Sequence, residues 1–133
     1  MKVVALDYGR ARTGVAVSDP SGTLARPLGV VQSAASERGL DELASIVRAE
    51  AAERIVVGLP LTLRGEHGEQ AQETERFVAA LREVVDVPVE SFDERFTTVL
   101  AERAGFGSAS APDDARAAAH LLTSYLEWSS HRR

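Results

Sequence analysis

The chain has 133 residues, of which 44% are hydrophobic and 26% charged, within the range of ordinary globular proteins and enough for one domain over residues 1–133. Cysteine is absent, which excludes disulfide frameworks, thiolate zinc sites and cysteine catalysis, and apolar runs of only a few residues exclude a membrane-spanning helix. The formal net charge of −5 argues against a polycation that coats nucleic acid, although fourteen of the fifteen basic residues are Arg, the side chain suited to bidentate phosphate contacts.

Residues 1–7 lack the apolar region and cleavage site of a signal peptide, so a cytoplasmic location is expected. Residues 2–6 form a short strand-like run with β-branched Val3 and Val4 that stops at Asp7, with Gly9 and Gly14 bounding a turn. Residues 13–18 alternate Val15 and Val17 with smaller side chains, and Asp19-Pro20-Ser21-Gly22 is a turn signal. A third extended segment over 24–32 completes a predicted antiparallel meander. Leu40, Leu43, Ile46 and Val47 at helical spacing predict a helix over 37–52. Residues 54–58 read as a buried strand and residues 62–69 as a loop without periodicity. Phe77, Leu81 and Val84 mark a second helix over about 70–85. Residues 87–92 read as a fifth strand, which Pro88 places at a sheet edge. A short helix over 97–104, a linker over 106–111 and a last helix from 112 to about 128 follow. The order βββαβαβαα predicts an α/β fold: a mixed five-stranded sheet, antiparallel meander then parallel strands, flanked by helices.

In such a sheet a site is expected at the carboxyl ends of the parallel strands. Three acidic positions fall there: Asp7 after the first strand, Asp93 and Glu94 after the fifth, and Asp113 and Asp114 at the start of the last helix. Carboxylates that converge repel one another unless a cation sits among them, and hard oxygen donors suit Mg²⁺ or Mn²⁺. Two such ions about 4 Å apart can activate a water and stabilise a leaving oxygen in phosphodiester hydrolysis. Alternation puts Glu94 on the side of Phe92 and favours it as ligand, with Asp93 as the alternative. Ser110 and Asp113 have capping-box spacing, which leaves the chemistry to Asp114. Arg10 and Arg12 could grip a backbone phosphate or lie solvated in a loop. Arg95, Thr97 and Thr98 could hold a phosphate at a helix start, or the threonines could simply cap that helix. His67 could shuttle a proton; His120 reads as packing and His131 as tail.

These residues carry a resemblance. Leu6-Asp7-Tyr8-Gly9, Thr13-Gly14-Val15-Ala16-Val17-Ser18-Asp19, Ile55-Val56-Val57-Gly58-Leu59-Pro60, Asp93-Glu94-Arg95-Phe96-Thr97-Thr98, and Asp114 followed by an Ala-rich run to Tyr125-Leu126 together resemble the YqgF family. That family is described as pre-16S rRNA nucleases or Holliday-junction resolvase homologues, and the match runs through nearly the whole chain. The resemblance implies an RNase H-like fold and a divalent-metal nuclease that matures the 5′ end of pre-16S rRNA in the cytoplasm, in contact with ribosomal precursor particles; some members are linked to branched DNA. It carries the family's acidic set onto Asp7, Glu94 and Asp114, and His120 departs from the less polar residue expected there. An actin-like or sugar-kinase phosphotransferase would need a second domain, and no Gly-x-x-x-x-Gly-Lys loop is present. A non-catalytic RNA-binding module would need neither all three acids nor so few aromatics.

Overall fold

The computed structural model describes residues 1–60, 68–93 and 113–130. Eight elements follow in chain order: β1 (Val3–Asp7), β2 (Arg12–Ser18), β3 (Ala25–Gln32), α1 (Glu37–Ala49), β4 (Arg54–Leu59), α2 (Glu69–Arg82), β5 (Val89–Asp93) and α3 (Asp113–Ser130). The strands form one sheet in the order β3-β2-β1-β4-β5. The first three strands are antiparallel, whereas β1, β4 and β5 run parallel, as the element order predicts. Arg95, Thr97 and Thr98, the expected helix over 97–104 and the linker over 106–111 lie outside the described residues, as do Glu94, His67, Ser110 and His131.

Alternation divides the core between the two faces of the sheet. Val4, Leu6, Val15, Val17, Ile55, Val57 and Val89 pack with Leu43 and Val47 of α1 and Phe77, Val78 and Leu81 of α2. Val3, Ala5, Ala16, Val56 and Phe92 pack with Ala118, Ala119, Leu121, Leu122 and Tyr125 of α3. The central strands β1 and β4 are therefore buried on both faces, which is why they read as unbroken apolar runs. β5 is an edge strand, and Pro88 just precedes it.

Helix ends differ from the periodicity in instructive ways. α1 starts where Ser36 accepts a hydrogen bond from the Gly39 N–H at 3.0 Å, an ordinary N-cap. It ends at Ala49 rather than residue 52, because Ala51 takes φ +54° and the Ala52 N–H turns back to the Val47 carbonyl. That reversal lets the Glu53 N–H bond the Lys2 carbonyl at 2.8 Å and starts β4 beside β1. α2 ends at Arg82, so Val84 is not on its apolar stripe but lies beyond it, exposed. The Arg82 guanidinium bonds the Val89 carbonyl and ties this end of α2 to β5.

Candidate active site

Asp7 is the last residue of β1, and its register partner on β2 is Gly14. It shares the parity of Val3 and Ala5, so alternation puts it on the face covered by α3. Gly14, which bounds the turn in the sequence, sits inside β2. A β-carbon there would overlap the carbonyl of Asp114 and approach the Ala115 nitrogen to 3.0 Å. The first turn of α3 thus rests directly on the backbone of β2, and Asp114 stands beside the strand position that pairs with Asp7. A glycine inside a strand pattern is the sequence signal for this close approach.

Arg12, read from the sequence as a turn residue, is the first residue of β2 and lies on the same face. Its Nε is 3.3 Å from Asp114 Oδ2, with both side chains partly open to solvent. Asp113 points away: it is exposed and pairs with Arg116 one turn along α3. Asp114, beside Arg12 and Gly14, therefore differs in surroundings from Asp113, beside Arg116. Its expected capping partner, Ser110, is outside the described residues.

On the other face, Tyr8 stacks on Phe77 of α2 with ring centroids 4.4 Å apart. Burial and the nearby Glu73 carboxylate raise the Tyr8 pKa above its ordinary value. Arg10 donates from Nη2 to Glu73 Oε1 at 2.6 Å, so the β1–β2 turn is tied to the start of α2. The turn itself is tight. A β-carbon on Gly9 would meet the Arg12 carbonyl, and Thr13 Oγ1 closes it through Gly9 at 3.3 Å. Sequence reading missed Glu73 as the partner of Arg10, and no motif marks it.

The third acidic position is only partly visible. Asp93 ends β5 and pairs with Leu59 at the end of β4, at the same carboxyl end of the parallel strands as Asp7. Two strand spacings put β5 roughly 10 Å from β1. Asp93 has the parity of Val89, which packs toward α1 and α2, while Glu90 and Phe92 face α3. Alternation therefore turns Asp93 away from the face that carries Asp7 and Asp114. Among the described residues no group of three or more His, Asp or Glu side chains is arranged to hold a metal. Asp7 and Asp114 are hard oxygen donors at one end of that face, and a guanidinium sits beside Asp114. That chemistry fits Mg²⁺ or Mn²⁺ once a further carboxylate is added.

His120 is half-buried on α3 between the fully buried Ala119 and Leu121. At the far end of the sheet, Arg54 donates to the Tyr125 hydroxyl at 2.9 Å and the hydroxyl donates to Glu90. This network ties β4, β5 and α3 together, away from the carboxylates.

A family profile described as "RuvX: Holliday junction resolvase" matches residues 1–128. The chain belongs to this family, the one its motifs resemble. A Chloroflexus aggregans protein is 48% identical over 101 residues, covering 76% of this chain and 71% of that protein. A Desulforamulus reducens protein is 35% identical over 133 residues, 96% of this chain and 97% of the relative. Both carry the name "Putative pre-16S rRNA nuclease". Among solved structures, T. thermophilus RuvC in complex with Holliday junction substrate superposes with a TM-score of 0.71 at 18% identity, over 98% of this chain and 96% of RuvC. The fold is RNase H-like, and the family is one of nucleases that hydrolyse phosphodiester bonds.

Proposed function

We propose that Asp7, Asp114 and Glu94 are the catalytic carboxylates of this nuclease, that they hold Mg²⁺ or Mn²⁺, and that its substrate is the 5′ region of pre-16S rRNA. The observation that carries the reading is the seat of α3 on Gly14, which brings Asp114 to the strand position paired with Asp7. Glu94 is chosen over Asp93 because Asp93 has the parity of the opposite face. The relatives named as pre-16S rRNA nucleases favour the RNA substrate and, with it, ribosomal precursor particles in the cytoplasm as the setting.

Bound divalent metal would supply an activated water and charge neutralisation at the scissile phosphate. The protein's own contribution is positional. Asp7 is fixed by the hydrogen-bonded end of β1, and Asp114 by the first turn of a helix whose backbone cannot sink closer to the sheet. Arg12, on the face of Asp7, and Arg10, in the turn that follows it, are cations for the nucleic-acid backbone, and Arg95, Thr97 and Thr98 are assigned to the same backbone. His67, in the segment after β4, remains a candidate for proton transfer.

A second reading, cleavage of branched DNA, is favoured by the family's description as Holliday junction resolvases. The test compares a labelled pre-16S rRNA fragment with a four-way DNA junction, each with Mn²⁺, Mg²⁺ or EDTA, for wild type and Asp7→Asn. RNA-selective, metal-dependent cleavage that falls at least about a hundredfold in the variant is expected. Junction-selective cleavage would transfer the site to DNA. Undiminished cleavage by Asp7→Asn in a folded protein would refute the carboxylate assignment.

A further inference from the structure

Asp114 is the carboxylate proposed for metal binding, yet its partner in the structure is a protein cation, Arg12, at 3.3 Å. Two carboxylates brought to one face beside Gly14 repel each other, and a guanidinium next to one of them relieves that repulsion when no metal is bound. Arg12 is not held there by packing. Its side chain is 63% exposed, it projects from the first residue of β2, and Asp114 is itself partly open to solvent. Arg10, by contrast, is directed across the other side of the turn to Glu73, so the two arginines are not equivalent.

We infer that Arg12 is an exchangeable counter-ion of Asp114, which leaves the carboxylate as a divalent cation loads and then binds a phosphate of the nucleic acid. The inference rests on the carboxylate site proposed above and adds a coupling to it. While Asp114 is paired with Arg12, neither is available to its other ligand. When Asp114 turns to a divalent cation, Arg12 is released beside the scissile region. Linkage makes the effect reciprocal: nucleic acid that draws Arg12 away must tighten metal binding by the same factor. The arrangement thereby disfavours a phosphate docking on Arg12 at a site without its metal.

The exposure of the pair bounds the effect. An open ion pair of this kind is weak, so its removal changes metal affinity by about two- to fivefold. Mn²⁺ affinity, read by electron paramagnetic resonance of the free ion, is therefore expected to rise by that factor in Arg12→Ala and to fall at least about tenfold in Asp114→Asn. A fluorescein-labelled pre-16S rRNA fragment supplies the second arm, titrated over a range of salt with Ca²⁺ or with EDTA. Arg12→Ala should weaken binding and lower the salt slope by about one with Ca²⁺, while leaving the EDTA titration unchanged.

An arginine that merely braces the fold would, on removal, weaken both ligands. A fixed phosphate contact would weaken RNA binding equally in Ca²⁺ and EDTA. Either result overturns the exchange, as does unchanged Mn²⁺ affinity in Arg12→Ala. Asp114→Asn separates this failure from the larger one: if that variant binds Mn²⁺ like wild type, the carboxylate site itself is wrong and the exchange falls with it.

Discussion

Gly14→Ala is the substitution that probes the architecture of the site most directly. The added methyl carbon would stand 1.8 Å from the Asp114 carbonyl oxygen and 3.0 Å from the Ala115 nitrogen, where an ordinary contact needs at least 3.4 Å. No side-chain rotation relieves this, because both obstructing groups are backbone. The first turn of α3 must therefore unwind or the helix must withdraw by more than 1 Å. A radial gap of 0.5–1 Å already forfeits roughly a quarter to a half of a dispersion contact. The contacts at stake are those of Ala115, Ala118, Ala119, Leu121 and Leu122, all nearly inaccessible to solvent. Overpacking costs typically about 1–3 kcal/mol, and rigid backbone on both sides puts this case at about 2–3 kcal/mol. For a chain of this size that is a fall in Tm of roughly 6–12 °C. A displacement of Asp114 by about 1 Å should lower cleavage by roughly a hundredfold, even where the protein remains folded. Gly29→Ala is the matched control, since nothing lies within 4 Å of its added carbon and its stability should stay within about 0.5 kcal/mol of wild type. Urea unfolding followed by circular dichroism, with metal-dependent cleavage measured on the same samples, makes the comparison. If Gly14→Ala unfolded and cleaved like Gly29→Ala, α3 would not sit on β2 as described.

Three further outcomes are expected. Ala51→Gly should stabilise the protein by about 0.5–1 kcal/mol in urea unfolding, because Ala51 carries φ +54° at the end of α1, where a β-carbon is penalised. Asp19 is held at about 2 by hydrogen bonds from Ser21 and from the Leu24 and Thr23 N–H groups in the β2–β3 turn. Its folded value lies below its unfolded one, so its stabilisation is complete above pH 4 and disappears as pH falls toward 2; Asp19→Asn should flatten that acid limb of a Tm-versus-pH curve. Burial raises the Tyr125 pKa, with its hydrogen bond to Glu90 adding to the effect. Folding therefore favours the neutral phenol, and stability should decline as pH rises above 10, a decline that Tyr125→Phe reduces.

Much of the fold was legible because the local signals agree with the global arrangement. The unbroken Val3–Leu6 run and the Ile55–Leu59 run mark strands buried on both faces, and parallel strands of that kind need helical crossovers, which the spacing of Leu40, Leu43 and Phe77 supplies. Pro88 correctly marked an edge because it has no N–H for a further strand. The helix ends were less legible. Nothing in Ala49-Glu50-Ala51-Ala52 resembles a stop signal, and α1 turns back only because β4 must begin in register with β1.

The candidate site divides in the same way. Asp7 stands out in the sequence, since a carboxylate directly after an apolar strand needs a reason. Spacing favours Asp114 over Asp113, and their surroundings differ: Asp113 faces solvent and its own-helix neighbour Arg116, whereas Asp114 lies over Gly14 against Arg12. Gly14 and Arg12 lie 100 and 102 residues before Asp114 in the chain, so no local pattern encodes the contacts that set it apart. The sequence by itself determined the family and the order of the described strands and helices, and it nominated the acidic positions, because each depends on residue type and short spacing. Only the tertiary structure decided which acid meets which strand and which arginine meets which acid. Those meetings depend on how closely a helix can approach a sheet, and here that distance is set by the missing side chain of Gly14.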